Sequence, residues 1–146
     1  MIAVIQRVCE ASVTVAGTPV SSIQAGAVVL VGILRSDAEA DAKRMAQRIG
    51  GLRYFDDARG RLNRSLADAG GSLLVVSQFT LCGDCAKGTR PSYVRAAPAE
   101  QAQPLYETLI EALRADGHAV QTGVFGAEMQ VSLVNDGPVT LIAESG

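Results

Sequence analysis

Alternating apolar and polar positions dominate the start of the chain. From residue 2 to residue 15 the apolar side chains fall mainly on odd positions, with Arg7 the exception, so this segment predicts a long strand. Ala16-Gly17-Thr18-Pro19 then indicates a turn, because Gly and Pro interrupt regular structure. The almost unbroken apolar run 27–34 is typical of a central strand that is covered on both faces.

A helical period follows this run. Ser36 and Glu39 have the spacing of a capping box, which predicts that the helix opens at Ser36. Gly50-Gly51 is expected to end it. A single apolar stripe along this helix consists of Ala38, Ala42, Met45, Ala46 and Ile49.

Short strand patterns occupy the middle of the chain. Residues 52–55 and the segment around Leu62 predict two strands separated by the polar turn 56–60. After Gly70-Gly71, residues 72–81 predict another strand that is apolar at its start.

A polar loop and a second helix come next. Residues 82–97 contain glycine and few apolar side chains, and a loop of this length suggests a function. The second helix is predicted to begin between Pro98 and Pro104 and to stop at Gly117. Its apolar face consists of Leu105, Leu109, Ile110 and Leu113.

The final segment predicts two strands joined by a turn. Met129, Val131 and Leu133 alternate with polar residues, residues 135–138 are turn formers, and residues 139–143 form a last strand. Two helices among about six strands predict a mixed α/β (α+β) fold. We expect mostly antiparallel sheets in a sandwich or partly closed barrel, with the two main helices packed on one side. The strand order does not follow from the pattern.

Composition and charge narrow the function classes. The 146 residues are expected to form one domain, 1–146, whose core consists mostly of Val, Leu, Ile and Ala, because the chain has six Phe or Tyr and no Trp. A net charge of −2 argues against broad binding of nucleic acid through a strongly basic surface. No segment has the pattern of a signal peptide or a membrane span, so we expect a soluble, cytoplasmic protein.

Two residue types suggest chemistry that the surrounding sequence does not support. His118 is the only histidine, and it lies at a predicted helix end, where a solvated side chain is the usual explanation. Cys82-Gly83-Asp84-Cys85 has the spacing of a redox dithiol, but no helix follows that would stabilise a thiolate. Zinc would need further ligands, and only Cys9 and His118 are available. A thiol oxidoreductase therefore remains an alternative function class, and a non-catalytic RNA-binding module is another.

Two polar segments indicate only structural roles when each is considered alone. Ser77-Gln78-Phe79-Thr80-Leu81 follows a buried strand, and Asn135-Asp136-Gly137-Pro138-Val139-Thr140 is composed of turn formers. Together they resemble the two signatures of the D-aminoacyl-tRNA deacylase family. The start of the chain, residues 88–92 and residues 122–127 also match that family in order and position. The Cys82–Cys85 stretch departs from the family pattern.

The resemblance implies hydrolysis of the ester of D-aminoacyl-tRNA, with no cofactor or metal, by a homodimer whose active site lies at the dimer interface. The catalytic segment would be Ser77, Gln78, Phe79 and Thr80. Thr80 is the obvious nucleophile, but the sequence shows no base to activate it. We therefore expect water to attack with help from the neighbouring ribose hydroxyl, while backbone amides around Phe79 and Thr80 stabilise the oxyanion.

The resemblance also implies how the enzyme would select its substrate. Gly137-Pro138 would be a cis peptide that enters the partner's pocket as a backbone wedge, bind the α-amino group and exclude L side chains, so that achiral glycyl-tRNA would still be cleaved. By the same analogy Asn135, Phe125 and Met129 would contribute to the substrate site. Residues of the long loop that could contact tRNA phosphates are Lys87, Arg90 and Arg95.

Overall fold

A nearly closed, barrel-like sheet of six strands organises the chain, and the computed structural model describes all residues, 1–146. The strands are β1 (Ile2–Val15), β2 (Thr18–Ile23), β3 (Gly26–Gly32), β4 (Arg53–Asp56), β5 (Leu62–Ser65), β6 (Ser72–Ser77), β7 (Val120–Thr122) and β8 (Gln130–Glu144). The helices are α1 (Glu39–Gly51), α2 (Leu66–Ala69) and α3 (Ala99–Ala115), and a 3₁₀ turn spans Phe79–Cys82.

Strand β1 is the centre of the sheet. It pairs antiparallel with β8, and it also pairs antiparallel with β3 over its first half and with β2 over its second half. Parallel pairs then join β3 to β6 and β6 to β7, while β4 and β5 form a separate antiparallel hairpin. The prediction of an α+β fold with mostly antiparallel strands is confirmed.

Both faces of the sheet are buried because apolar side chains alternate along its central strands. Ala27, Val29 and Val31 of β3 point into a cluster of 22 buried residues that includes the buried faces of α1 and α3. Val28, between them, belongs to a second cluster of seven residues on the other face. Full burial of one such aliphatic side chain contributes roughly 1.5–3 kcal/mol, so the alternation fixes which face each strand presents.

The predicted start of the first helix is wrong. The helix begins at Glu39, three residues after Ser36, and the Asp41 carboxylate accepts the backbone N–H of Ala38 at 2.8 Å. Asp37 is buried instead, where it accepts the N–H of Leu34 at 2.6 Å and pairs with the amino group of Met1. The N–H of Asp37 also donates to the carbonyl of Leu34 at 3.0 Å, so residues 34–37 form a turn and the helix begins after it.

Three further differences concern turns and short elements. Thr18 and Pro19 belong to β2 and pair with β1, so the predicted turn is shorter, and β2, α2 and β7 were not predicted. The strand predicted over 72–81 ends at Ser77, where the chain enters the 3₁₀ turn.

The predicted turn between two final strands is also wrong. Residues 130–144 form one strand, and both of its halves pair with β1. Gln6 pairs with Thr140 and Val8 with Asn135, so five residue steps on β8 oppose two on β1. The three extra residues form a bulge, and a second register shift follows directly, where Val8 to Glu10 of β1 opposes the single step from Asn135 to Val134.

None of the helices has the length and apolar character that crossing a bilayer requires.

Candidate active site

The segment after β6 forms a tight turn at the edge of the sheet. The N–H of Gln78 donates to the carbonyl of Val31 at 2.7 Å, which ends the β6 ladder, and the N–H of Leu81 returns to the carbonyl of Gln78 at 3.2 Å. The amides of Phe79 and Thr80 lie in the first turn of the 3₁₀ helix, where no intrahelical acceptor exists. Two adjacent backbone donors are therefore available to a ligand.

Close approach of this turn to β3 requires a glycine. A Cβ on Gly32 would lie 3.0 Å from both Cys82 Sγ and Leu81 Cβ, and 3.1 Å from the carbonyl oxygen of Gln78. Contacts this close are tighter than most real Cβ contacts, so a larger residue would force the neighbouring atoms of the turn to move by a few tenths of an ångström. Gly32 thus fixes where the two free amides lie.

The Thr80 hydroxyl has one hydrogen-bond partner. The side-chain amide of Gln78 donates to Thr80 Oγ1, and no carboxylate, imidazole or amine contacts that oxygen. Thr80 is exposed and lies outside the lining of the adjacent cavity. The structure therefore contains no general base for a threonine nucleophile.

An apolar cavity of about 370 Å³ opens beside this turn, where the two hydrophobic clusters meet. Ser77, Gln78 and Phe79 form one wall, and Phe125 and Met129 form another, so the structure brings five of the predicted site residues together. The remaining lining residues are Val31, Ile33, Val76, Ala97, Ala99, Ala102, Gly126, Ala127 and Val131.

Contacts behind the cavity hold Phe125 and Met129 in place. The ring of Phe125 lies 5.7 Å from that of Tyr106, whose hydroxyl donates to the carbonyl of Val75 at 2.8 Å. Met129 Sδ accepts the N–H of Val124 at 3.4 Å. A Cβ on Gly123 would lie 2.5 Å from that sulfur, so a larger residue there would displace the Met129 side chain.

The bulge of β8 contains Gly137 and Pro138, which are joined by a cis peptide bond. Gly137 has a φ of +123°, and a Cβ there would lie 2.9 Å from Val139 Cγ2 and 3.0 Å from the Val139 nitrogen. Asn135 closes the base of the bulge, because its Nδ2 donates to the carbonyls of Arg7 at 2.8 Å and Val139 at 3.0 Å. Neither Gly137 nor Pro138 lines the cavity of its own chain.

Arg7 supports this bulge, and the sequence interpretation assigned it no role. Its side chain is buried, and it donates to the backbone carbonyls of Tyr54 at 3.0 Å and Asp136 at 3.3 Å. It also pairs with the carboxylates of Asp56 at 3.5 Å and Asp136 at 3.2 Å. The only feature of the sequence that pointed to Arg7 was a charged side chain at a position of β1 where the alternating pattern expects an apolar one.

Lys87, Arg90 and Arg95 are all exposed in the long loop between the 3₁₀ turn and α3. A bridge between Asp84 and Ser92, with bonds of 2.8 and 3.0 Å, closes the base of this loop. None of the three cationic side chains forms an ion pair, so their charges face solvent.

The cysteine spacing does not form a redox pair. Cys82 is buried and donates its Sγ–H to the carbonyl of Ile33 at 3.4 Å, whereas Cys85 is exposed. Burial raises the pKa of the Cys82 thiol, and the charge of Asp37 raises it further. A reactive thiol needs a lowered pKa.

His118 packs against Gly50 of α1, and no three His, Cys, Asp or Glu side chains converge on one point.

Comparisons with known proteins identify the family of this chain. The sequence model of the family described as D-Tyr-tRNA(Tyr) deacylase matches residues 4–144. The D-aminoacyl-tRNA deacylase of Thermus aquaticus is 58% identical over 145 residues, covering 99% of this chain and 95% of that protein. The one from Chlorobaculum parvum is 56% identical over 143 residues, covering 97% and 96%.

Two solved structures share the fold. One, described as a c-Myc DNA unwinding element binding protein, is 42% identical with a TM-score of 0.95 and covers 100% of this chain and 99% of its own. A probable eukaryotic D-amino acid tRNA deacylase has a TM-score of 0.84 and covers 98% of both chains, and at 16% identity it supports the fold alone. With a family match over residues 4–144 and relatives above half identity along nearly the whole length, this chain belongs to the D-Tyr-tRNA(Tyr) deacylase family.

Proposed function

We propose that this protein hydrolyses the ester of D-aminoacyl-tRNA and releases the free D-amino acid and tRNA, as a step of translation quality control. The observation that carries the proposal is the apolar cavity with two free backbone amides at its edge, in a chain of this family. The whole of residues 1–146 would act as one domain, in the cytoplasm, where the substrate is made. The reaction needs water and no cofactor.

Water is the proposed nucleophile. Its oxygen bonds to the carbonyl carbon while the neighbouring ribose hydroxyl of the tRNA orients it, and the amides of Phe79 and Thr80 bind the oxyanion. Collapse of this intermediate breaks the bond to the ribose oxygen, which takes a proton from the attacking water. One such donor typically stabilises the transition state by about 3 kcal/mol. Thr80 positions the substrate and does not attack, because only Gln78 contacts its hydroxyl.

Rejection of L-aminoacyl-tRNA is assigned to Gly137 and Pro138 of a second copy. This bulge lies outside the cavity of its own chain, so a wedge at that cavity has to come from a partner subunit. Backbone carbonyls of the bulge would accept the α-amino group and fill the space that an L side chain needs. A D side chain points away from the wedge, and glycine has no side chain to exclude, so glycyl-tRNA should also be cleaved.

An exposed apolar surface on β8 supports the homodimer. Ile142 is 73% exposed and Val134 50% exposed, on the longest strand of the protein. Ile142 pairs with Val4 of β1, which pairs in turn with Leu30 of β3, so three apolar side chains lie side by side on one face. Contiguous exposed apolar side chains are typical of interfaces between subunits.

The remaining predicted residues would bind the nucleic acid. Phe125 and Met129 offer an apolar wall for the terminal adenosine, and Lys87, Arg90 and Arg95 offer unpaired charges for phosphates. A basic loop would provide local positive charge for an RNA substrate, although the whole chain has a net charge of −2.

Hydrolysis of matched D-, L- and glycyl-tRNAs by the purified protein, with a chelator present, tests the proposal. We expect rapid loss of the D and glycyl esters and survival of the L ester. Persistence of all three esters would refute the deacylase function, and tight tRNA binding without turnover would instead indicate a binding module. Thr80→Val should retain part of the activity, whereas loss of all turnover would contradict a role limited to positioning the substrate.

A further inference from the structure

An aromatic pair extends from the cavity to the protein surface. The rings of Phe79 and Tyr93 lie 5.3 Å apart at an angle of 67°. Phe79 lines the cavity yet is 58% exposed, and Tyr93 is 40% exposed. The cavity wall therefore continues outward as an open aromatic surface that no other part of the chain covers.

The position of Tyr93 is fixed by the base of the long loop. A Cβ on Gly83 would lie 2.9 Å from Tyr93 Cε1, so the ring packs directly on the backbone at Gly83. The bridge between Asp84 and Ser92 joins the residues that flank this contact. Tyr93 is thus held beside Phe79 before any ligand binds, which lowers the entropy cost of using it for recognition.

The charge of the same loop favours binding of a polyanionic ligand. Residues 83–95 carry three exposed cations, Lys87, Arg90 and Arg95, against the single carboxylate of Asp84, although the whole chain has a net charge of −2. Two copies of this loop would repel each other, so a second copy of the chain is the less suitable occupant.

We propose that the Phe79–Tyr93 pair is a stacking platform for the nucleobase that precedes the terminal adenosine of tRNA, with the basic loop beside the adjoining phosphates. This inference rests on the proposed function, and it adds a second nucleotide site to the cavity. The tRNA 3′ end is single-stranded, and proteins bind such strands by stacking bases on aromatic rings within a cationic groove. Stacking on one ring commonly strengthens binding by about tenfold.

The test compares the affinities of adenosine and the dinucleotide CpA, measured by NMR titration of the full-length protein. Wild-type protein should bind CpA about tenfold more tightly than adenosine. Tyr93→Ala should bring the two affinities close together, and Tyr93→Phe should keep the difference because the ring remains. Val94→Ala is the matched control, since Val94 is adjacent, 74% exposed and outside the aromatic pair.

Three results would overturn the inference: equal affinities in the wild type, an unchanged ratio in Tyr93→Ala, or a change in molar mass by light scattering in that variant. The last would assign Tyr93 to an interface between two copies. Failure to hydrolyse D-aminoacyl-tRNA would refute the proposed function without altering this ratio, so the two failures are distinguishable.

Discussion

The hydroxyl of Tyr54 allows a direct test of how an unpaired buried polar atom affects the free energy of unfolding. Tyr54 is fully buried, and its hydroxyl is the one buried side-chain polar atom with no hydrogen-bond partner. Burial raises the pKa of this phenol, so it stays neutral and un-ionised. We therefore expect Tyr54→Phe to stabilise the protein.

The magnitude follows from two opposing effects. Burying a hydroxyl without a partner costs about 1–3 kcal/mol, which the substitution would recover. Loss of the oxygen leaves a void smaller than a methyl group, whose cost is below about 1 kcal/mol. The free energy of unfolding should rise by about 1 kcal/mol, which corresponds to an increase in Tm of about 4 °C.

Tyr106→Phe is the matched control, because Tyr106 is also buried but its hydroxyl donates to the carbonyl of Val75 at 2.8 Å. Loss of this hydrogen bond should lower the free energy of unfolding by about 1 kcal/mol. Urea unfolding followed by far-UV circular dichroism suits a chain without Trp. If the two substitutions destabilised the protein equally, the description of the Tyr54 hydroxyl as uncompensated would be wrong.

Three further predictions concern the bulge and an exposed turn. Arg7→Leu should lower the free energy of unfolding by about 2–4 kcal/mol in urea titrations, because two carbonyls lose a charged donor; unchanged stability would contradict this. Gly137→Ala should cost about 1–2 kcal/mol, since φ is +123° and the new Cβ would meet Val139, and it should raise L-ester hydrolysis relative to D; an unchanged ratio of the two rates would argue against the wedge. The pKa of Asp57 is held below its usual range, chiefly by the backbone N–H of Arg61. The carboxylate therefore stabilises the fold at and above the pH where a free carboxyl ionises, and this contribution disappears as pH falls through the lowered pKa. Thermal unfolding should therefore show Asp57→Ala less stable than wild type at neutral pH and equally stable in strong acid, and a gap that persisted in acid would contradict this assignment.

Local periodicity was sufficient to predict β1 and most of α1. The bounds of β1 and four of the five predicted stripe residues of α1 follow from side-chain alternation at periods of 2 and 3.6, which the packing of both faces then enforces. The fifth, Ala38, was predicted wrongly, because it precedes the helix and is exposed. Capping was not predictable in the same way, because Ser36, Asp37 and Asp41 are all suitable caps. The contact of Asp37 with Met1, far away in the chain, decides among them.

The bulge and the cavity depend on contacts that no local pattern contains. Asn, Asp, Gly and Pro suit a hairpin turn and a bulge equally, and only pairing of both flanks with β1 distinguishes the two. The cavity forms because parallel pairing of β3, β6 and β7 places the Ser77–Phe79 turn opposite Phe125 and Met129. The family resemblance named these residues, but their mutual geometry required the fold.

The bulge of β8 also has an evolutionary consequence. Its three extra residues leave a ladder whose two halves keep their register with β1 on either side, so changes in this segment do not shift the core residues of the strand. The amides of the turn after β6 are carried by a different part of the sheet. If the bulge excludes L esters and these amides bind the oxyanion, as proposed, selection can change which esters are spared and how fast the others are cleaved by separate mutations, without rebuilding the barrel.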